Sequence, residues 1–337
     1  MMKAFVTGAT GHIGNVLVRE LYRQGWVVTA LSLPKERIDY IEPYATVVEG
    51  NILDLEQMKA LIRDVDVCFH LAGMVEIGAG KKKTLYRVNV DGTKNVYEAC
   101  RINHIPRMVY TSSVHALQEL PHGALMAESN QFSPDLVKGH YAKSKAIATG
   151  WLLERPLEGT EIVIVHPSGV IGPYDYQLSN MSQLFLDMLM GRLRAYIDGG
   201  YNFVDVRDVA IGIVSAANHG MDRRCYLLSG DQISVKELLD TISIHEGIKP
   251  VKTRLAYGFM RSMSYFAEAY YRLARQKPLF THYSIVVLRS NANFSNERAK
   301  KELGFETRNI LQSIRDSIDF ARAEFLVKRG KKYIRKI

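Results

Sequence analysis

The glycine-rich turn that follows the first strand-like segment constrains the fold of this chain more than any other feature. Residues 2–7 are short and apolar, Gly8, Gly11 and Gly14 follow at once, and residues 15–24 have helical spacing. Such glycines permit a tight turn, let backbone N–H groups approach a pyrophosphate, and let the helix pack closely on its strand. The spacing is Gly-x-x-Gly-x-x-Gly rather than the commoner Gly-x-Gly-x-x-Gly, and a plain turn is the alternative for an isolated match. Between a first strand and a first helix, the motif favours a dinucleotide site.

Apolar runs alternate with helix-like segments after this turn. They cover residues 26–31, 46–48, 67–71, 108–111 and 162–165. Continuous apolar runs are typical of strands that are buried on both faces of a parallel sheet. We therefore predict an α/β fold of the Rossmann type, with a doubly wound parallel sheet and a smaller, discontinuous C-terminal substrate lobe.

The alternation loosens after residue 174, and this change sets the predicted domain boundaries. Residues 1–173 form the dinucleotide-binding domain, 174–327 form mainly the substrate lobe with 200–230 returning to the Rossmann part, and 328–337 form a basic tail. Helices are expected at 181–190, 235–245, 296–305 and 310–325. A further helix carries an apolar stripe, which we interpret as core or lid, with a membrane-surface helix as the alternative; the stripe consists of Phe259, Met263, Phe266, Tyr270 and Leu273.

The formal charge of +9 is concentrated in the tail. Six basic residues lie between 328 and 336 without an acidic residue, which leaves 38 basic against 35 acidic residues elsewhere. Because the body is only mildly basic, we expect no nucleic-acid partner. For the tail we favour a solvated, frayed end over peripheral contact with an anionic membrane surface or a partner.

The cysteines and the apolar segments bear on the compartment. Cys68, Cys100 and Cys225 are scattered and lack metal-ligand spacing, so we interpret them as packed thiols of a reducing compartment and expect the cytoplasm. No apolar stretch has membrane-spanning length, and the chain opens on a strand-like segment. We therefore predict neither a signal peptide nor a transmembrane helix.

The end of the second strand bears on the choice of cofactor. An acidic residue there would bond the ribose 2′-hydroxyl of NAD, but Ser32 occupies this position, with Lys35 and Arg37 close behind. A 2′-phosphate would meet no carboxylate and would find cations. The sequence thus favours NADP(H), and NAD(H) is the alternative if the two cations are solvated loop residues.

Two further strand ends carry candidate cofactor contacts. Asn51 and Ile52 follow the third strand and are candidates to flank the adenine. Leu71, Ala72 and Gly73 end the fourth strand on small residues, which leaves room for a cofactor; a simple turn is the alternative.

Three side chains in the middle of the chain predict the chemistry. Tyr141 and Lys145 stand four apart in a helix-like segment, so their side chains lie on one face about one turn apart. An ammonium near a phenol favours the phenolate and lowers the phenol pKa from about 10 toward working pH. Such a phenol exchanges a proton with a carbonyl oxygen while hydride moves at the carbon. Ser113, after the fifth strand, lies at the edge where open α/β folds bind ligands, and its hydroxyl would stabilise charge on that oxygen.

Seven ordered motifs complete the picture: TGATGHIG (7–14), FHLAG (69–73), VNVDGT (88–93), YTSS (110–113), YAKSK (141–145), HPSGVIGP (166–173) and FVDVRDVA (203–210). On these motifs, which span most of the chain, the sequence resembles the extended branch of the short-chain dehydrogenase/reductase superfamily, also described as NAD-dependent epimerase/dehydratase-like. The resemblance implies that Ser113 and Tyr141 are catalytic, and that Lys145 bonds the nicotinamide ribose and lowers the tyrosine pKa. It implies cofactor contacts from Gly8, Thr10, Gly11, His12, Ile13, Gly14, Tyr141, Lys145, Pro167 and Val170.

Within that branch, the sequence is more similar to dihydroflavonol-reductase-like and 3β-hydroxysteroid-dehydrogenase-like carbonyl reductases than to sugar-nucleotide epimerases. Residues 114–117 read VHAL where epimerases usually have Val-Tyr-Gly, and Gly139-His140 precedes Tyr141 where they tend to have proline. We predict an NADP-preferring oxidoreductase for a small or medium apolar ketone, aldehyde or secondary alcohol. One alternative is a nucleotide-sugar epimerase or dehydratase with bound NAD. Another is a non-catalytic NAD(P)-sensing protein, which would not need Ser113, Tyr141 and Lys145.

Other polar residues have more than one interpretation. His115 is a candidate to line the substrate pocket, with a packed histidine as the alternative, and His166 is expected to be a satisfied buried histidine. Neither has the partners of a metal site, and we predict no metal. Asn89 either positions the active site or starts a helix. Arg207 and Asp208 resemble family residues that hold the C-terminal region, and a homodimer is the expected assembly.

Overall fold

The computed structural model describes residues 1–75, 82–156, 159–258, 287–329 and 332–335. Its strands are β1 (Lys3–Thr7), β2 (Val27–Ser32), β3 (Thr46–Glu49), β4 (Val67–His70), β5 (Arg107–Thr111), β6 (Glu161–Pro167), β7 (Gly169–Ile171), β8 (Ala195–Ile197), β9 (Gly200–Asp205), β10 (Arg224–Leu228), β11 (Asp231–Ser234), β12 (Thr253–Leu255), β13 (Leu326–Arg329) and β14 (Lys332–Arg335). Its helices are α1 (His12–Arg23), α2 (Leu55–Leu61), α3 (Lys82–Tyr86), α4 (Thr93–Ile102), α5 (His140–Leu153), α6 (Asn180–Leu189), α7 (Val206–His219), α8 (Val235–Glu246), α9 (Glu297–Leu303) and α10 (Ile310–Phe325). A π-helical turn, Arg87–Gly92, joins α3 to α4.

Seven parallel strands form the central sheet, in the order β10-β6-β5-β4-β1-β2-β3. The inner strands are buried on both faces, which explains their continuous apolar runs. Successive side chains face opposite ways, so Phe5 and Val6 of β1 enter different core clusters. The predicted doubly wound parallel sheet is confirmed.

Helices cover both faces of this sheet. On one face α1 packs against α7, through residues such as Leu17 and Ile213. On the other face α2, α4 and α5 contribute Met58, Tyr97 and Leu152 to a second core. The carboxyl ends of all seven strands therefore open on one edge, where the glycine turn, Ser113 and the start of α5 converge.

A smaller lobe is built from the remaining elements. Strands β11, β9 and β7 form a three-stranded sheet, and β8 pairs with β12. A third core cluster joins α6, α8 and α10, with Phe185, Leu239 and Ile318 fully or almost fully buried. Strand β10 is part of the central sheet and helix α7 packs against that sheet, whereas β9 is part of the three-stranded sheet. The domain boundaries stay a prediction.

The C-terminal tail differs from the expected frayed end. Strand β13 pairs antiparallel with β14, so the backbone amides of this segment have partners. Leu326 is buried, and Tyr333 packs against the core of the smaller lobe. Leu326, just before the tail, and Tyr333 within it therefore hold this hairpin on the lobe despite its charge. The predicted stripe from Phe259 to Leu273 lies outside the described residues.

The cysteines are buried, as the sequence predicted. Cys68, Cys100 and Cys225 are buried free thiols, as predicted for packed side chains. Within the described ranges, no helix combines the length and the apolar character needed to cross a bilayer.

Candidate active site

The glycine turn after β1 has the geometry that a pyrophosphate requires. Gly8 has φ +70°, and a Cβ atom there would lie 2.6 Å from the backbone nitrogen of Ala72. A Cβ at Gly14 would lie 2.0 Å from the carbonyl oxygen of Gly8, so only glycine fits this close approach. Gly11 caps α1 without a side-chain hydrogen bond, and the first turn of α1 has no acidic residue. The amide groups of this turn therefore suit a bound phosphate.

The other predicted residues of the turn have additional contacts. The Nε2 atom of His12 lies 2.9 Å from the carbonyl oxygen of Pro173, so its side chain ties the turn to the start of the lobe. Thr10 is buried, and its hydroxyl donates to Glu36 at 2.8 Å. Ile13 is partly buried against the core. Cofactor contact by His12 and Ile13 thus remains a prediction for their backbone amides.

Arg37, one of the residues that favoured NADP, has carboxylate partners in the structure. Ser32 is buried at the end of β2. The guanidinium of Arg37 bonds Asp39 at 2.7 Å and Glu324 at 2.6 Å. Glu36, which the sequence did not single out, directs its carboxylate toward the glycine turn. Lys35, the other cation of this loop, is exposed, and the preference for NADP stays a prediction.

The ends of β3 and β4 lie next to this turn. Asn51 accepts a bond from the amide of Leu53 at 3.0 Å, as in an Asx turn, and Ile52 is buried against Gly92. The Leu71 amide donates to the carbonyl of Thr7 at 3.2 Å, which continues the pairing of β4 with β1. Adenine contact by Asn51 and Ile52 remains a prediction.

Residues Ala72 and Gly73 connect the turn to the catalytic candidates. The Ala72 amide donates to the Thr7 hydroxyl at 3.2 Å. A Cβ at Gly73 would lie 3.5 Å from the Nζ atom of Lys145 and 3.2 Å from Asn89. The small residues therefore lie beside the lysine, and the two halves of the predicted site are contiguous.

Ser113 and Tyr141 meet at the carboxyl edge of the sheet. Ser113 follows β5 and caps the short 3-10 turn Val114–Ala116, and Tyr141 lies in the first turn of α5. Burial raises the pKa of the Tyr141 phenol above its ordinary value, and a hydrogen bond with the Ser113 side chain acts in the opposite direction. The phenol is therefore protonated at neutral pH, and the predicted serine lies on the same edge of the sheet.

Lys145 lies one turn further along α5 and is buried. Its Nζ atom donates to the carbonyl oxygen of Thr111 at 2.8 Å and lies 4.9 Å from the centroid of the Tyr110 ring. Burial lowers the pKa of Lys145 to about 7. Burial dominates the pKa of Tyr141 in the structure, so the predicted effect of Lys145 on that pKa stays a prediction.

Asn89, for which two interpretations were open, lies inside the π-helical turn. Its side-chain amide donates to the carbonyl oxygen of Met74 at 3.0 Å and to the hydroxyl of Ser144 at 2.9 Å, and it accepts from the Met74 amide at 2.7 Å. Ser144 in turn donates to the carbonyl of Tyr141 at 2.7 Å. Asn89 thus joins the loop after β4 to the catalytic helix, as π-helical turns at functional sites often do.

A mainly apolar cleft lies beside His115 and Ala142, with a cavity volume of about 60 Å³. His115 and Tyr201 form a polar part of its wall, since His115 Nε2 lies 3.0 Å from the Tyr201 hydroxyl and the two rings stack. The Tyr141 ring contacts His115 edge to face at 6.1 Å. The apolar lining includes Val114, Leu117, Met126, Val137, Ala142 and Phe294. His115 therefore lines this cleft, and its contact with a substrate stays a prediction.

The end of β6 and the residues after it carry three further predicted residues. His166 is fully buried, and its Nδ1 atom donates to the carbonyl of Ser113 at 3.0 Å, whereas Nε2 has no partner among the described residues. It is thus only half satisfied, in contrast to the prediction. Pro167 ends β6, and Val170 pairs with Val204 in the small sheet. Nicotinamide contact by Pro167 and Val170 remains a prediction.

One cluster of potential metal ligands occurs in the described part of the chain, at His245, Glu246 and Asp319. The guanidinium of Arg322 bonds both Glu246 and Asp319 there. An arginine therefore already neutralises this cluster, which lies on the smaller lobe.

Comparisons with known proteins agree with this geometry. A family model described as the NAD dependent epimerase/dehydratase family matches residues 4–228. The chain is 27% identical to sterol demethylase protein B of Methylococcus capsulatus, over 97% of this chain and 100% of that protein. It is 31% identical to a Synechocystis protein named as a dihydroflavonol 4-reductase, over 93% of both chains.

Two further matches extend the comparison. A 3 beta-hydroxysteroid dehydrogenase/Delta 5-->4-isomerase of Mycobacterium tuberculosis is 24% identical, over 90% of this chain and 86% of that protein. The crystal structure of gox2253 superposes with a TM-score of 0.82 at 29% identity, over 96% of this chain and 98% of that one. The resemblance inferred from the motifs is therefore confirmed, and the chain belongs to the NAD-dependent epimerase/dehydratase family, the extended branch of the short-chain dehydrogenases/reductases.

Proposed function

We propose that this protein is a nicotinamide-dependent carbonyl reductase or alcohol dehydrogenase acting on an apolar ketone, aldehyde or secondary alcohol. The observation that carries the proposal is the convergence of three side chains at the carboxyl edge of the sheet: Ser113 directly after β5, Tyr141 in the first turn of α5, and the buried Lys145 bonded to the carbonyl of Thr111. This arrangement supplies a proton donor and a second hydroxyl at one point of the crevice above the strand ends.

The chain's own residues supply the proton and the charge stabilisation. The bound dinucleotide supplies hydride to the carbonyl carbon. The Tyr141 phenol gives its proton to the carbonyl oxygen, so that one hydride and one proton convert the carbonyl to an alcohol; oxidation reverses both transfers. The Ser113 hydroxyl donates to the same oxygen as its charge grows. Lys145, held by Thr111, presents a positive charge beside Gly73 and favours the phenolate form that follows proton transfer.

The cleft supports an apolar substrate. Its described lining is mostly aliphatic and aromatic, and its one lysine, Lys138, lies 3.4 Å from Glu119. Such a wall suits a hydrocarbon ring better than a diphosphate, which requires several cations or amide donors. The relatives named for sterol, hydroxysteroid and dihydroflavonol chemistry support the same class. We therefore favour this function over that of a nucleotide-sugar epimerase.

Replacement of Tyr141 by phenylalanine tests the proposal. The Tyr141→Phe variant should lose activity by about a thousandfold, because no proton donor replaces the phenol, and should still bind the dinucleotide. Turnover of cyclohexanone and acetophenone with NADH and NADPH, together with calorimetric titration of each dinucleotide, provides the measurement.

Tyr22→Phe is the matched control, since Tyr22 is half-exposed on α1 and distant from the strand ends. Its activity should equal that of the unmodified protein. Full activity of Tyr141→Phe would refute the mechanism, and dinucleotide binding without turnover of any carbonyl compound by the unmodified protein would favour a sensor.

A further inference from the structure

The loop after β2 turns back sharply at residues Leu33–Glu36. The amide of Glu36 donates to the carbonyl of Leu33 at 3.2 Å, Pro34 stands second in the turn, and Lys35 stands third with φ +68°. A proline followed by a residue with positive φ is the pattern of a type II turn, whose third position normally requires glycine or asparagine. Lysine at this position is strained, and such strain persists only where surrounding contacts maintain it.

The side chain of Glu36 provides those contacts. One carboxylate oxygen, Oε2, accepts from the amide of Leu33 at 3.0 Å and from the hydroxyl of Thr10 at 2.8 Å. The first bond closes the turn, and the second joins it to the glycine turn. A carboxylate that is four residues beyond the strand end in sequence therefore lies beside the pyrophosphate-binding loop in space.

Glu36 would lie near the adenosine ribose of a bound dinucleotide. If the pyrophosphate bound at the start of α1, the ribose would extend toward the end of β2, where folds of this type place the acidic group that accepts from the 2′-hydroxyl. Ser32 is buried and carries no charge. Glu36, in the turn that follows β2, supplies the carboxylate that is absent from the strand end. Its Oε2 atom accepts the bonds from Leu33 and Thr10, which leaves Oε1 as the acceptor for a ribose hydroxyl.

Of the two cations next to Glu36, Lys35 is exposed on the turn and Arg37 already has carboxylate partners. Arg37 bonds both Asp39 and Glu324, and its guanidinium lies over the rings of Tyr40 and Tyr176 at 5.6 and 5.3 Å. A 2′-phosphate would therefore meet the Glu36 carboxylate, while the guanidinium already has two carboxylate partners. We propose that Glu36 selects NAD(H) over NADP(H) by accepting from the adenosine ribose and repelling a 2′-phosphate. This inference rests on the nicotinamide-dependent function proposed above.

Binding measurements on the full chain test the inference without requiring a substrate. NAD⁺ and NADP⁺ are titrated separately by calorimetry, and the ratio of their dissociation constants is compared among variants. The unmodified protein should bind NAD⁺ at least about tenfold more tightly. Glu36→Gln, which retains size but loses charge, should reduce the ratio by about tenfold or more, with tighter NADP⁺ binding.

Two further variants separate charge from folding. Glu36→Asp retains the charge on a shorter side chain, so NADP⁺ binding should stay weak even if NAD⁺ binding weakens. Glu42→Gln removes an exposed charge from the same stretch of chain and should leave the ratio unchanged. An unchanged ratio in Glu36→Gln, or a preference for NADP⁺ in the unmodified protein, would overturn the role of Glu36. Failure of the unmodified protein to bind either dinucleotide would overturn the proposed function as well.

Discussion

Three histidines near the site, His70 and His166 buried and His115 half-buried, are held in a neutral form. Burial lowers the pKa of His70 to about 3, and the pKa of His115 and of His166 to about 4. His70 lies between the hydroxyls of Thr7 and Thr93, at 2.7 and 2.9 Å. In the unfolded chain a histidine has a pKa of about 6.5, so below that pH the unfolded state binds more protons than the native state.

We therefore expect the protein to lose stability as the pH falls from 6.5 to 4. Each of the three histidines should contribute a loss of about 1.4 kcal/mol per pH unit in this window, and none above it. Urea unfolding at pH 7.5, 6.5 and 5.5 measures the slope. The His219→Gln variant, which changes an exposed histidine at the end of α7, should retain the slope of the unmodified protein. Equal free energies of unfolding at pH 6.5 and 5.5 would contradict this account.

At the same scale, the sequence predicted which residues meet but not every consequence of their burial. The spacing of Tyr141 and Lys145 follows from helical periodicity, and Ser113 follows from the strand that precedes it. Their proximity to each other was predictable for that reason. The raised pKa of Tyr141 was not, because it depends on burial by residues distant in sequence. Glu36 escaped prediction because its position depends on a positive φ at Lys35, which a lysine does not signal.

At the scale of elements, the turn between β1 and α1 depends on close backbone approach. Gly14 lies in the first turn of α1, directly against Gly8. Gly150 lies in α5, where a Cβ atom would lie 3.5 Å from its nearest neighbour, the carbonyl oxygen of Phe132. The same substitution should therefore have opposite effects in the two helices.

The Gly14→Ala variant should lower the free energy of unfolding by about 2 kcal/mol or more and weaken dinucleotide binding, because its methyl group displaces the turn. Gly150→Ala should leave stability unchanged or raise it by about 0.5 to 1 kcal/mol, since alanine is the better helix former. Chemical denaturation and calorimetric titration of both variants provide the comparison. Similar stability and binding in the two variants would show that the turn tolerates a side chain.

Helices and strands could be predicted where the apolar residues of a segment followed a single periodicity. The apolar runs gave the central strands, and the expected helices in the C-terminal half correspond to α6, α8, α9 and α10. The π-helical turn around Asn89 was not predictable, because its extra residue reflects the bonds to Met74 and Ser144 rather than local propensity. The β13–β14 hairpin was hidden by its charge, since pairing and the packing of Tyr333 depend on the rest of the lobe.

At the scale of the whole molecule, a buried ionic network joins α7 to the C-terminal elements. Asp208 accepts from the amide of Arg308 at 2.8 Å and lies 2.7 Å from its guanidinium. Arg207 bonds Asp205 at 2.7 Å and Asp316 of α10 at 2.6 Å. The structural role predicted for Arg207 and Asp208 is therefore confirmed, because both connect the sheet's helix layer to the smaller lobe.

Loss of Asp208 should destabilise the protein as a whole. The Asp208→Ala variant leaves the Arg308 guanidinium without this partner in a partly buried position, and we expect the free energy of unfolding to fall by about 3 kcal/mol. Glu56→Ala breaks an exposed ion pair with Lys59 on α2 and should change the free energy of unfolding by less than about 0.5 kcal/mol. Urea is the denaturant for this comparison, because guanidinium chloride is a salt and would screen the ion pairs. Equal effects of the two variants would remove Asp208 from this role.

The bond from Arg37 to Glu324 has a practical consequence for enzyme engineering. Grafting a different loop after β2 is the usual way to redesign coenzyme choice, yet here that loop also anchors the last helix through this ion pair. A transplanted loop without an arginine at this point would remove this ion pair with α10 while it altered the surroundings of Glu36. Redesign of this protein should therefore substitute single side chains and leave Arg37 in place.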